Sequence, residues 1–386
     1  IGDIFDFIRN GMSVKQSSDI DGLPITRIET IWNAEIDLSR VGYAGVQFAN
    51  AKDYLLKDGD ILFSHINSVA HIGKCALYSQ SHGELVHGMN LLCFRPNQTK
   101  ILPKYALYIL RSNQFKDQLA RSIKKAVNQA SVTIGDIKKI QIEIPPLAEQ
   151  QRIAVILDKA ELVKRKRELA IEKLDELAQS VFIEMFGDSV TNNKGWESKS
   201  LGEIADFYAG NSLPKESAYK NQSDGYFLMK VSDMNSLGNE REIKSCKSWS
   251  NLAGAKSATC PKGSIVIPKR GGAIGTNKKR ITTRPTVLDP NLMAIKPKEE
   301  IVLTEYLFQW FLNFNLLSIT NGSSVPQLNK KDLDPLRIQI PEIKAQEKFR
   351  NFIKLHLAHK AKNINLMKRE AMLIDSLKHQ AFSGQL

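Results

Sequence analysis

Between Leu147 and Phe186 the chain has neither glycine nor proline, and Ile153, Leu157, Ala160, Lys164, Arg167, Ile171, Leu174, Ala178, Val181 and Met185 recur at alternating steps of four and three. That spacing keeps one stripe of a helix turned toward a partner and predicts a long helix with a heptad seam. Pro145-Pro146 before the run and Gly187-Asp188 after it supply start and stop signals. A second run, from Ile343 to the C-terminus, puts Phe349, Ile353, Leu357, Ile364, Met367, Ala371, Ile374 and Leu377 on one stripe. At 1.5 Å per residue, helices of ~40 residues span roughly 60 Å. Neither stripe is stable alone in water, so the two helices are expected to pack together, with the globular parts held apart at their ends.

The stretches ahead of these helices, about 140 residues each, alternate short β-branched runs with Gly, Pro, Asn and Ser, which predicts mixed, strand-rich domains. The two halves are copies, and a repeat constrains architecture more than local propensity does. Ile1-Gly2-Asp3-Ile4-Phe5-Asp6-Phe7 returns as Leu201-Gly202-Glu203-Ile204-Ala205-Asp206-Phe207. Asp21-Gly22 returns as Asp224-Gly225, Gly59-Asp60-Ile61-Leu62 as Gly263-Ser264-Ile265-Val266, Asn90-Leu91-Leu92 as Asn291-Leu292-Met293, and Tyr105 as Tyr306. Ile142-Glu143-Ile144-Pro145 returns as Ile338-Gln339-Ile340-Pro341. The expected fold class is therefore α/β (α+β): two globular strand-rich domains, 1–144 and 191–340, separated by two long antiparallel coiled-coil helices, 145–190 and 341–386. Gln150 and Gln346 are 196 apart whereas Leu177 and Leu377 are 200 apart, so the second helix is expected to carry four extra residues as a stutter in the seam.

Composition adds a partner. There are 54 Lys and Arg against 41 Asp and Glu, a net charge of +13, which favours a polyanion such as nucleic acid or an anionic membrane. The longest apolar stretch, Tyr306 to Ile319, is interrupted by Gln309, Asn313 and Asn315 and is too short to span a bilayer. Cys75, Cys93, Cys246 and Cys260 are far apart, with no spacing suited to a disulfide framework or a zinc knuckle. The expected location is a reducing cytoplasm, inferred rather than read because the sequence opens at Ile1 without a methionine.

The organisation resembles the specificity subunit of type I restriction-modification systems over the whole chain. The resemblance is carried by Ile144-Pro145-Pro146-Leu147-Ala148-Glu149-Gln150-Gln151-Arg152-Ile153, by Met185-Phe186-Gly187-Asp188 with Gly195-Trp196 and Leu201-Gly202-Glu203-Ile204, and by the closing Leu377 to Gly384 segment. The second junction departs from the pattern, reading Pro341-Glu342-Ile343-Lys344-Ala345-Gln346-Glu347. The resemblance implies that each domain is a target-recognition domain reading one half of a split double-stranded DNA site, with the helices as a ruler. It also implies two methyltransferase subunits as partners, which bring the S-adenosylmethionine chemistry, and room for restriction and translocase subunits. The chain itself would be a non-catalytic subunit without cofactor or metal, acting in DNA methylation and defence against foreign DNA. Independently, half-sites one helical turn or more apart, ~34 Å, call for two reading surfaces and a spacer, and net positive charge supplies the phosphate attraction common to all sequences.

Candidate DNA contacts lie in loops. The richest is Pro268-Lys269-Arg270-Gly271-Gly272-Ala273-Ile274-Gly275-Thr276-Asn277-Lys278-Lys279-Arg280. Its glycines permit close approach of the backbone to phosphate, Lys269, Lys278, Lys279 and Arg280 would neutralise it, and Arg270 or Asn277 suits bidentate base contact. The loop lacks the Gly-Lys-Ser/Thr ending of a nucleotide-binding P-loop. Its first-domain counterpart is Ser64-His65-Ile66-Asn67-Ser68 with Gly73-Lys74. Arg27 and Lys230 are expected on equivalent strands, either facing DNA or snorkelling from a strand edge. Gln129-Ala130-Ser131 and Gln327-Leu328-Asn329 offer amides to DNA or serve as helix caps, and Lys124 and Lys125 are phosphate clamps or a solvated face. Asn10, Ser13, Tyr208, Asn211 and Lys215, in the first variable loops, are further candidates.

Other constellations read as structural. His65, His71, His82 and His87 with Cys75 lack tight metal-ligand spacing. Glu342-Ile343-Lys344 with Asp334 imitates a nuclease element, but Glu342 stands at a helix entrance. No Asn-Pro-Pro-Tyr/Phe run and no Gly-rich cofactor loop suggests self-contained methylation. The cluster Lys164-Arg165-Lys166-Arg167 suits packing on the second helix or on partner subunits. Phe182, Phe186 and Phe382 offer an apolar face near the helix ends. Two readings compete with the specificity subunit: a coiled-coil scaffold or regulator acting without methyltransferases, and a nuclease.

Overall fold

A computed structural model describes residues 1–16, 22–43, 45, 48–125, 129–188, 191–320, 325–382 and 385. Asp21 of the first turn motif and Gly384 of the closing segment lie outside them. The chain divides into two compact units, Ile1–Glu168 with Asn365–Leu386, and Leu169–Ile364.

In the first unit a four-stranded antiparallel sheet runs in the order Phe5–Asn10, Leu92–Pro96, Ile61–Phe63, Cys75–Leu77. Ile61, Leu62 and Phe63 are buried on both faces, as expected of a central strand covered on each side. One side is covered by helices Pro103–Arg111 and Asn113–Arg121, the first opened by proline and the second capped by the Ser112 hydroxyl, which accepts from Phe115 N at 3.2 Å. Phe63 and Phe94 pack with ring centroids 5.1 Å apart, and Phe115 closes edge-on over Phe63.

The second unit repeats the order with Ala205–Ala209, Leu292–Pro297, Ile265–Pro268 and Arg280–Thr282, then adds Glu242–Ile243 as a parallel fifth strand. Its counterpart helix is Thr304–Asn313. A further five-stranded sheet, Ser217–Ala218, Ser248–Ser250, Tyr226–Met229, Thr286–Leu288 and Thr259–Cys260, is built here. In the first unit this region forms small two-stranded pairs. The expected division into two mixed, strand-rich parts with a shared core order is thus present.

Long helices run from Leu147 to Phe186 and from Ile343 to Phe382, each 40 residues. Within the first unit they are antiparallel, with Arg167 Nη2 2.7 Å from Glu370 and Lys378 Nζ 3.3 Å from Glu161. Within the second, Asp175 meets Lys360 at 2.5 Å and Phe182 packs on Phe349 at 5.4 Å between ring centroids. Phe182 and Phe186 are buried against Tyr306, each burial worth about 2 kcal/mol. Equal lengths within the described residues correct the expected four-residue insertion. Sliding a helix by four residues turns its stripe by only about 40°, so a match made on apolar positions slips a turn unnoticed. Arg167 in the basic cluster serves the helix pair, as its composition suggested.

Candidate nucleic-acid interface

In each unit the two candidate segments, distant in sequence, are joined by the same backbone hydrogen bond. Val132 N donates to His65 O at 3.0 Å in the first unit, and Leu328 N to Lys269 O at 2.9 Å in the second. In the first unit this makes a ribbon in which Ile66–Asn67 pairs with Ala130–Ser131, and that in turn with Lys124–Lys125. Asn67 stands opposite Ala130, Lys124 opposite Ser131, and both lysines are exposed. In the second unit Arg270 bridges Gln327, and Gly271 N donates to Pro326 O at 2.8 Å. Lys269, Arg270 and Gln327 therefore converge at one end of the sheet, beside the exposed Asn291, whose carbonyl accepts from Lys269 N at 2.7 Å.

The first variable loops stack onto the same ends. Met12 N donates to His87 O at 2.7 Å, and Asn211 N to Leu288 O at 3.0 Å. Gly11 and Gly210 make this approach possible, since a Cβ would stand 2.2 Å from His87 O and 1.7 Å from Asp289 O respectively. Asn10, Ser13 and Asn211 are exposed there and Tyr208 is half-buried. Lys215 is exposed. Asn90 and Asn291, legible in the sequence only as repeat markers, occupy the rims.

Several expected contacts turn inward. Lys279 is 1% exposed and its Nζ donates to Phe314 O at 2.7 Å; burial pushes its pKa down to about 8. It stands two residues before buried Ile281, just ahead of the strand Arg280–Thr282, on the side that the strand's alternation buries. Asn277, in the left-handed region at φ 52°, donates to Phe314 O and accepts from Leu316 N at 2.9 Å. Arg280 spends its guanidinium on the carbonyls of Met234 and Lys279, and Lys278 donates to Asn235. These four fasten the loop to the domain. Lys269 and Arg270 have no ion pair among the described residues; burial and the neighbouring guanidinium hold the Lys269 pKa below its usual value.

Ser64 and His65 are also buried, 2% and 5% exposed, so they lie beneath the first-unit loop rather than on it. Ser64 Oγ, His65 Nδ1 and His87 Nδ1 have no hydrogen-bond partner among the described residues. Asn67 is half-buried and Lys74 exposed. Arg27 and Lys230 follow their strands rather than lie in them, each opening a short 3-10 helix whose third residue caps it: Arg27 N donates to Thr30 Oγ1 and Lys230 N to Asp233 Oδ2, both at 2.8 Å. Their side chains meet Glu29 at 4.0 Å and Glu216 at 3.0 Å.

Among the described residues no group of three or more His, Cys, Asp or Glu side chains is arranged to hold a metal, and no helix is long and apolar enough to cross a membrane. Glu342 opens the second long helix, its carbonyl accepting from Ala345 N at 2.9 Å.

A family model for the type I restriction modification DNA specificity domain matches residues 1–173 and 193–368. A putative type I restriction enzyme MjaX specificity subunit from Methanocaldococcus jannaschii is 32% identical over 368 residues, covering 89% of this chain and 83% of that one. The EcoKI specificity subunit of Escherichia coli is 26% identical over 191 residues, 48% of this chain and 41% of that one. Among solved structures, a chain from work on complex assembly and conformational transition of the type I restriction-modification system superposes with a TM-score of 0.64 at 17% identity, covering all of this chain and 97% of that one. The type I restriction-modification S subunit from M. genitalium gives 0.55 at 14% identity, covering 99% and 94%. With the family model matched twice in tandem and the MjaX relative aligned over most of both chains, this protein belongs to the type I restriction-modification DNA specificity family.

Proposed function

We propose that the chain is the sequence-specific DNA-binding subunit of a type I restriction-modification complex, with residues 1–144 and 191–340 each reading one half of a bipartite duplex target. The observation that carries this is the repeated junction of two loop segments, Val132 on His65 and Leu328 on Lys269. The same scaffold thereby presents different side chains: Asn67, Ser131 and Lys124 in one unit, Lys269, Arg270 and Gln327 in the other. Shared frame with divergent tips suits two domains that read unlike half-sites, because phosphate contacts position and a few side chains at base edges specify. The subunit recognises and does not catalyse. The segments 145–190 and 341–386 act as spacer and as the docking surface for two methyltransferase subunits, with restriction or translocase subunits joining that assembly in the cytoplasm.

The test is detection of modified bases across the genome in cells carrying the neighbouring methyltransferase, with and without this chain. A split motif, two short defined parts around an unspecified gap, appears only when the chain is present. A stable complex with an active methyltransferase but no chain-dependent motif would favour a scaffold instead.

A further inference from the structure

Each unit holds a cavity where the short helix bearing Tyr105 or Tyr306 faces a long helix, and the two differ in charge. In the first unit five cations are matched by five carboxylates along the wall. Most are spent on one another: Lys104 on Asp158 at 2.5 Å, Arg165 on Glu35 at 2.6 Å, and both Lys378 and Arg111 on Glu161 at 3.3 and 3.9 Å. In the second unit the repeat brings Lys354 to the place of Asp158, Glu305 to that of Lys104 and Leu357 to that of Glu161. There the cavity, about 1000 Å³, is lined by Arg241, Lys262, Lys296, Arg350 and Lys354. Glu242, Glu299 and Glu305 oppose them in the lining, and Glu347 reaches Arg350 from outside it.

Two of those cations are already engaged, Lys296 with Glu299 at 3.5 Å and Arg350 with Glu347 at 3.7 Å. Arg241 has its guanidinium 4.5 Å from the Phe308 ring centroid and no ion pair among the described residues. Glu242 and Glu305 act on it only from beyond ion-pair distance, and because a guanidinium cannot shed its proton, its burial leaves a cost that an incoming anion relieves. Arg241 over its aromatic ring and Lys354 on the long helix thus line one candidate anion socket.

We propose that this socket docks an acidic side chain of a protein partner, namely a methyltransferase subunit of the assembly proposed above, on which reading it rests. Duplex DNA is the less suitable occupant. Gly263, Thr282 and Lys296 line the socket at the end of the sheet where Ile265 pairs Ile295, whereas the reading loops leave from Pro268 and Leu292. Those ends are ~10 Å apart along the strand. Since the equivalent place in the first unit is internally neutralised, two like partners are held by unlike electrostatics, and the second-unit contact is the salt-sensitive one.

The full chain, co-expressed with its neighbouring methyltransferase, is compared with Lys354→Glu, an exposed helix position that leaves the fold intact, and with Arg241→Gln. Partner affinity and stoichiometry are read at low and high salt, and duplex binding by the isolated chain in parallel. Lys354→Glu is expected to weaken capture of one of the two partners at least about tenfold and to flatten its salt dependence, with DNA binding unchanged. Unchanged capture and salt dependence in both variants overturns the socket alone, as does a matching loss of DNA affinity in the isolated chain. A parent chain that captures no methyltransferase at any salt overturns the assembly reading and the socket with it.

Discussion

Gln150 and Gln346 make the same three hydrogen bonds, one set in each unit. Gln150 Oε1 accepts from Leu102 N and its Nε2 donates to the carbonyls of Lys100 and Pro145, each at 2.9 Å. Gln346 accepts from Leu303 N at 2.8 Å and donates to Ile301 O and Pro341 O at 3.2 and 2.8 Å. Both are buried, so each fills the backbone vacancies where a domain meets its helix. Gln346→Leu removes the donor and acceptor together and leaves three backbone groups unpaired. The expected loss is about 3 kcal/mol, read as a lower denaturation midpoint in urea; a change below about 0.5 kcal/mol would mean that water replaces the amide.

Gly210 stands where any side chain collides with Asp289. Its absent Cβ would lie 1.7 Å from that carbonyl oxygen, with Leu292 O a further 2.9 Å away from the same point. Backbone on both sides has no flexible end to yield. Gly210→Ala is expected to cost about 3 kcal/mol and to loosen the Asn211 loop, seen as faster hydrogen exchange at the Asn211 amide. Gly272→Ala, where nothing lies within 4 Å, is the control and leaves stability near the parent value.

The helix pair was legible because a four-and-three spacing has one geometric meaning, and the repeat because matching strands keep matching residues. The basic loop was legible only as charge. Its sequence does not say which lysine turns inward, although Lys279 stands two before Ile281, on the side that the strand's alternation buries. Ser64 and His65 were misplaced for a related reason: the strand ends at Phe63 but the buried path continues for two residues. Ile338 to Ile340 form a strand because Glu197–Ser200 pairs with them, whereas the matching residues 142–144 are not assigned to a strand. Such pairing is a long-range property that local spacing does not contain.

His87 ties stability to pH. Its Nε2 lies 2.9 Å from the Leu91 carbonyl, so that nitrogen carries the proton, while Nδ1 is buried without a partner among the described residues. Burial pushes the pKa down to about 4 from 6.5. Below 6.5 the unfolded chain takes up a proton that the folded chain refuses, so stability falls as pH drops from 6.5 toward 4 and levels beneath it. The loss amounts to about 3 kcal/mol. Urea midpoints across that window should drop steeply for the parent and less for His87→Asn. An equally steep variant curve would assign the effect to other groups, His65 first among them.

On the DNA-reading role proposed above, Arg270 and Lys279 are expected to separate recognition from architecture within one loop. Arg270 is exposed and bridged to Gln327, and an exposed guanidinium has the donor fork that a guanine edge accepts. Arg270→Ala is expected to weaken target binding by about 1–3 kcal/mol at fixed salt and to relax preference in one half-site while the other is read normally. Lys279→Met should leave affinity and salt slope unchanged, because the Phe314 carbonyl keeps its bond from Asn277 Nδ2 at 3.2 Å. Its signature lies in stability instead. With a folded pKa of about 8 against 10.5, the unfolded chain binds the extra proton between those values, so parental stability rises with pH through that window and the variant's rise is smaller. Binding measured on duplexes altered in one half at a time distinguishes the two roles: a Lys279→Met protein that folds but loses DNA affinity would return that lysine to the reading surface.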